Sequence, residues 1–169
     1  MNEGLFFLAY THSPLHAGIG QAMGKVDLPI AREKHTTYPC VYATGLKGAL
    51  RKYCEGNTSI SEKDIEEIFG EPNASAGAGG AMFTDLKLLL FPVRSSKDSF
   101  KWVTCEHVLK RFKRDYQTAG GTDKRLLNLS IETKMIEDGL YDAKKHILLE
   151  DFVFEYEKDD PKTFPGMDI

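Results

Sequence analysis

The sequence predicts an α+β fold, a βαββαβ core carrying long loops, and three observations lead to it. Apolar runs rich in β-forming residues recur at residues 5–10, 82–91, 100–103 and 147–157, the pattern of strands with at least one buried face. Two stretches between them carry apolar residues at helical spacing: Leu46, Ala49, Leu50 and Tyr53, then Val108, Leu109, Phe112 and Tyr116. The resulting order is β, α, short α, β, β, α, insertion, β, which is the ferredoxin-like or RRM-like arrangement. With 169 residues the chain is long enough for a single domain with a core, spanning 1–169.

Taken in order, residues 5–10 form a continuous apolar run that fits a strand buried on both faces. The first helix starts with Thr44 as its expected N-cap and turns its Leu46–Ala49–Leu50–Tyr53 stripe to the core. The second opens on Ser61, with Asp64 three residues on, and closes at Gly70 with Pro72 beyond; Ile65, Ile68 and Phe69 face inward. Residues 73–80 hold three glycines and three alanines and read as a flexible loop. A strand over 82–91, ended by Pro92, then turns through residues 94–99 into residues 100–103 as a hairpin. Thr104 is the expected cap of the third helix. Residues 117–146, with paired glycines and little periodicity, read as an insertion. The last strand covers about 147–157, with Glu150 tolerated inside it.

Composition bounds the function. Hydrophobic content of 41% and charged content of 28% are those of an ordinary globular protein. No apolar run approaches the ~20 residues of a membrane span, and the N-terminus lacks a basic region followed by an apolar core, so a cytoplasmic location is expected. Cys40, Cys54 and Cys105 are odd in number and unpaired in spacing, which indicates neither a disulfide framework nor a cysteine zinc site. The net charge of −3 conceals an uneven distribution. Residues 1–54 carry six Lys/Arg against three Asp/Glu and residues 87–125 ten against four, whereas 55–86 carry one against seven and 126–169 five against eleven. Two basic segments are therefore available for a polyanion, and the acidic ones for other protein surfaces.

The candidate site lies at residues 11–51. Glycines at 18, 20 and 24 permit positive φ and close approach. Asp27 follows, stiffened by Pro29, and then Arg32, Lys34 and His35. Lys47 falls in the first turn of the helix, where the dipole favours an anion, and Arg51 one turn on along the same face. A phosphate at that helix start would resolve the mismatch; a lysine snorkelling into solvent is the alternative. For Asp27 the alternatives are a carboxylate that holds a divalent cation or accepts a proton, and a turn aspartate satisfying nearby N–H groups. Lys110, Arg111, Lys113 and Arg114 crowd one helix, in part as the dipole prefers near a C-terminus, and in part as a candidate RNA or subunit contact. His16 is a further candidate for phosphate contact, with His35.

Several linked motifs carry a resemblance. YTHSPLHAGIG at 10–20, VDLPIAREKHTTYPCVYATGLKGALR at 26–51, IFG at 68–70, FTDLKLLLFPVRS at 83–95 and WVTCEHVLKRFKRD at 102–115 resemble the backbone subunit of the Cmr (type III-B CRISPR) RNA-guided effector complex, of the RAMP superfamily. The resemblance implies an RNA-binding RAMP fold in antiviral defence. It implies a subunit that polymerises along a CRISPR guide RNA, contacts copies of itself and other Cmr subunits, and cuts the paired target RNA as a metal-dependent endoribonuclease. Asp27 is implied as catalytic residue and ligand of a divalent ion, Mg or Mn. His16, Gly18, Gly20, Arg32, Lys34, His35, Lys47, Arg51, Lys110, Arg111 and Arg114 are the expected RNA-binding residues. Family members continue beyond the equivalent of residue 169, so a C-terminally truncated form with exposed sheet edges is expected. A non-catalytic RNA-binding subunit and a small metal-dependent hydrolase using Asp27 and His35 are the alternative functions.

Overall fold

In the computed structural model the described residues are 4–20, 29–71, 78–97, 99–129 and 146–155. They fall into two compact units, one of Thr11–Leu88 and one of Met1–Tyr10 with Leu89–Ile169. The α+β character expected from the sequence holds. Among the described residues ten elements follow one another: β1 (Cys40–Val41), α1 (Ala43–Glu55), α2 (Glu62–Phe69), β2 (Leu86–Lys87), β3 (Phe91–Arg94), β4 (Phe100–Val103), α3 (Glu106–Thr118), α4 (Lys124–Leu127), β5 (His146–Leu149) and β6 (Phe152–Glu155). The strands pair antiparallel as β1–β2, β3–β4 and β5–β6.

In the unit of Thr11–Leu88, β1 and β2 place Cys40 opposite Lys87 and Val41 opposite Leu86. Isolated bridges extend this pairing, Arg32 to Pro39 and Gly18 to Ile30, and Ala31 and Cys40 are buried within it. Helix α1 begins at Ala43, two residues before the start that a Thr44 cap would give, with Tyr42 at its N-cap and no side-chain cap. Instead Asp85 reaches across from the residue before β2, and its Oδ1 accepts the Ala43 N–H at 2.7 Å. The expected core stripe of α1 is only half realised: Leu46 and Leu50 are half-buried, whereas Tyr53 is 71% exposed. Arg51 lies on the covered side instead, donating from Nη1 to the Gly70 carbonyl at the end of α2 (3.0 Å).

Helix α2 matches its sequence signals closely. The Ser61 hydroxyl accepts the Asp64 N–H at 3.2 Å and donates to the Asp64 carboxylate at 2.6 Å, and Gly70 ends the helix at φ 89°. Ile65 and Phe69 are buried, and Phe69 stacks on Phe83 at 5.9 Å, while Ile68 is 41% exposed. Losing the cap should cost about 1 kcal/mol, so Ser61→Ala is expected to lower the midpoint of denaturant unfolding without changing its slope. An unchanged midpoint would show that the cap contributes nothing.

In the other unit α3 supplies the core with Val108, Leu109 and Phe112. Phe6 sets its edge against Phe112 and Tyr116, each at 5.3 Å, and those two rings stack on each other. The expected strand at residues 5–10 is not formed: Leu5 is 92% exposed, Phe7 54% and Leu8 51%, with Phe6 the member that packs on α3. A strand buried on both faces needs partners on both sides, and a local apolar run cannot specify them. The expected strand over 82–91 is not one strand: Leu86–Lys87 pair with β1, while the hairpin into β4 begins at Phe91, with Pro92 inside it opposite Trp102. A two-stranded ribbon has only edges, so a missing N–H is tolerated there.

The expected strand over 147–157 is folded in two. Glu150, at φ 50°, turns β5 back into β6, and its backbone N–H bonds the Arg94 carbonyl at 3.1 Å. The cap of α3 is Cys105 rather than Thr104, and Thr104 Oγ1 is enclosed without a hydrogen-bond partner among the described residues. Much of the expected 117–146 insertion lies outside the described residues.

Candidate nucleic-acid interface

The glycine-rich loop is pinned at its neck. The Ile19 N–H donates to the Pro29 carbonyl at 3.1 Å and the Ala31 N–H to the Ala17 carbonyl at 2.7 Å, so the chain leaves and re-enters the pairing at adjacent points. Gly20 stands at φ 89°, which a residue with a Cβ adopts only under strain. A Cβ at Gly18 would lie 3.3 Å from Cε1 of His16, so glycine leaves room for that ring. Asp27 and Gly24 fall in residues 21–28, outside the described residues. What is described is the neck from which they extend.

The chain then makes a compact basic turn. The Glu33 N–H bonds the Tyr38 carbonyl and the Thr37 N–H the Glu33 carbonyl, both at 2.9 Å, with Thr37 at φ 61°. The Thr36 hydroxyl donates to the Glu33 carboxylate. Arg32 donates from Nη1 to the Thr37 carbonyl at 2.8 Å, which ties one end of its guanidinium to the turn while the residue stays exposed. Lys34 and His35 occupy the exposed tip, with His35 Nε2 3.8 Å from the Glu33 carboxylate. This turn projects cations from a hydrogen-bonded base, as phosphate contact requires.

At the start of α1 the anion that the sequence calls for comes from within the chain, as the Asp85 carboxylate on the Ala43 N–H. Lys47 is half-buried and has no ion pair among the described residues. Arg51 is held internally: Nε meets Glu55 at 3.0 Å and Nη1 meets the Gly70 carbonyl. The Arg51 guanidinium in turn holds the Glu55 carboxyl below its ordinary range. Burial, then the charges of Asp85 and Glu33, push the Cys40 thiol up, so it is a packed thiol rather than a nucleophile.

On α3, in the other unit, Lys110 pairs with Glu106 at 2.7 Å and Arg114 with Asp115 at 2.9 Å. The hydrogen bond from Lys110 holds the Glu106 carboxyl below its ordinary range. Arg111 is half-buried. The structure thus gathers His16, Gly18, Gly20, Arg32, Lys34, His35, Lys47 and Arg51 in one unit, and Lys110, Arg111 and Arg114 on one helix of the other. Sequence reasoning missed Asp85 as a cap and the pairing of Arg94 with Glu150, because both are contacts between residues far apart in the chain. Among the described residues no group of three or more His, Cys, Asp or Glu is placed to hold a metal ion. No described helix is long and apolar enough to cross a membrane.

A family profile described as the RAMP superfamily matches residues 8–164. The chain belongs to the RAMP superfamily. Among curated RAMP relatives, the chain is 38% identical over 153 residues to a protein of Pyrococcus furiosus named CRISPR system Cmr endoribonuclease Cmr4, covering 89% of this chain and 52% of that protein. It is 29% identical over 114 residues to the CMR subunit Cmr4 of Saccharolobus solfataricus, covering 64% of this chain and 36% of that one. The oligomeric Cmr4 crystal structure from Pyrococcus furiosus superposes with a TM-score of 0.68 at 36% identity, over 89% of this chain and 54% of that chain. A type III-B Cmr-beta complex bound to cognate target RNA contains a chain that superposes at TM-score 0.65 and 23% identity, over 85% of this chain and 55% of that one, a likeness of fold. This RAMP chain spans about half the length of the Pyrococcus furiosus relative and of the crystallised Cmr4 chain.

Proposed function

We propose that the chain is an RNA-binding backbone subunit of a type III-B CRISPR effector complex, which holds guide RNA and cuts the paired target RNA at the loop carrying Asp27. The observation that carries this reading is the 38% identity to a named Cmr endoribonuclease over 89% of the chain; the family match over residues 8–164 includes the pinned neck of that loop. Copies of itself and other complex subunits are the protein partners, in keeping with the oligomeric and complex-bound states of the structural neighbours. The place of action is the cytoplasm.

The chemistry asks little of the protein. With the target strand bent into line, its 2′-hydroxyl attacks the adjacent phosphorus and gives its proton to Asp27, and the bond to the 5′-oxygen breaks as that oxygen takes a proton from water, leaving a 2′,3′-cyclic phosphate and a 5′-hydroxyl. A divalent ion, Mg or Mn, would be held by Asp27 with RNA phosphate oxygens, as such ions commonly are, and would supply charge neutralisation at phosphorus. Arg32 and Lys34 present cations, and His35 an imidazole, on the turn that follows the loop and position the backbone.

The test is incubation with guide RNA, complementary target RNA and Mg or Mn, read on a sequencing gel. Cleavage at regular intervals within the paired region is expected, and intact target despite RNA binding would sink the nuclease reading in favour of a non-catalytic RNA-binding subunit. A failure to retain RNA on filters at any salt concentration would remove RNA altogether. Lys47→Ala is expected to weaken binding of unrelated RNA sequences to the same degree and to lower the salt slope by about 1. Arg51→Ala, by contrast, should act through stability, since its guanidinium joins α1 to the end of α2. A change in slope for Arg51→Ala at unchanged melting temperature would reverse that assignment.

A further inference from the structure

Outside the loop site, aromatic side chains gather on one face of the β3–β4 hairpin. The register sets Pro92 opposite Trp102 and Arg94 opposite Phe100; since alternate residues share a face, these four lie together. Phe100 meets Trp102 edge to face at 5.6 Å, and Tyr10 tilts against Trp102 at 6.0 Å. The cluster is not core: Phe100 is 47% exposed and Tyr10 41%.

A cation is held beside these rings in a fixed orientation. Arg94 donates from Nε and Nη2 to Glu150 Oε2 at 3.0 and 2.9 Å, and its backbone N–H reaches Glu150 Oε1 at 3.0 Å. Glu150 stands at φ 50° as the first of the two residues that turn β5 into β6, so one residue makes the turn and holds the arginine. The Arg94 side chain is nonetheless 81% exposed, and its Nη1 has no partner among the described residues.

We propose that Tyr10, Phe100 and Trp102, with Arg94 beside them, form a stacking platform for the bases of a single-stranded RNA. The inference rests on the RNA-binding reading above and adds a second contact region in the other unit. Exposed ring faces accept any base, and a guanidinium with free donors meets phosphate or a base edge. The charge of the hairpin itself fits the same ligand, since residues 91–103 carry Arg94, Lys97 and Lys101 against Asp98. An apolar protein partner would match the rings but not that surplus.

Trp102 is the sole tryptophan, so its fluorescence reports the platform directly. Titration with oligouridine and oligoadenine is expected to change that fluorescence saturably, and an abasic oligonucleotide of equal charge to bind without the change. Phe100→Leu should weaken the base-bearing oligonucleotides roughly tenfold and the abasic one not at all, and Phe100→Tyr should restore binding. Retention of RNA on filters with silent Trp102 fluorescence and unaltered affinity in Phe100→Leu would overturn the platform and leave RNA binding standing. No retention of RNA would remove both readings. A Trp102 change that follows protein concentration without RNA, and vanishes in Phe100→Leu, would assign the face to protein association and overturn the platform.

Discussion

Asp27→Asn is expected to slow target cleavage by roughly 10²–10⁴-fold, the range removed with a positioned general base, while RNA binding stays within a few-fold. The substitution keeps the shape of the side chain but removes the charge that would take up a proton or hold a divalent ion. The neck on either side of the loop is set by backbone hydrogen bonds, Ile19 to Pro29 and Ala31 to Ala17, which do not involve the residue-27 side chain. A loss confined to the chemical step is therefore expected: single-turnover cleavage falls and filter binding persists. Restoration of cleavage by raising Mg or Mn would place Asp27 on the ion rather than on the proton. An Asn variant that cuts at the wild-type rate removes Asp27 from the mechanism.

The parts of the fold legible in the sequence are those specified within a few residues. Ser61, Asp64 and Gly70 announce α2 because a cap is made by a side chain and an N–H three positions apart. The α3 stripe of Val108, Leu109 and Phe112 is legible for the same reason. What escaped is set by distant partners. The start of α1 depends on Asp85, forty-two residues on, so Thr44 looked like the cap from sequence alone. The last strand folds back at Glu150, whose carboxylate meets the distant Arg94, and nothing in a run of Leu, Glu, Asp and Phe signals positive φ.

The candidate site divides along the same line. Gly20 was readable, since positive φ is what glycine permits, and so was the exposed turn of Arg32, Lys34 and His35. The role of Arg51 was not. A helical wheel places it beside Lys47, but the acceptor it finds is a carbonyl nineteen residues away at the end of α2. Lys47 stands half-buried on α1, while the anion at its helix start turns out to be a side chain of the chain itself.

The largest stability effect is expected from one methyl group. A Cβ at Gly79 would lie 2.3 Å from the Gly70 nitrogen, 2.4 Å from the Ile68 oxygen and 2.4 Å from the Phe69 carbonyl carbon. All three are backbone atoms of the end of α2, which no side-chain rotation can move aside. The close approach has a purpose: Gly70 and Ala78 form a bridge, and the next two amides, Gly80 and Ala81, donate to Glu67 and Ile68 at 2.8 and 3.0 Å. Gly79→Ala must break this pairing or shift the helix end, and with it Phe69, buried against Phe83. The cost should be about 3 kcal/mol, at the upper end of overpacking, which corresponds to a fall in melting temperature of about 10 °C for a chain of this size. Two controls separate geometry from loss of glycine. Gly80→Ala places its Cβ 3.4 Å from the Glu67 oxygen and should cost far less. Gly48→Ala, inside α1 with nothing within 4 Å, should stabilise by about 0.5–1 kcal/mol. Three equal melting temperatures would show that residue 79 does not pass over the end of α2 in solution.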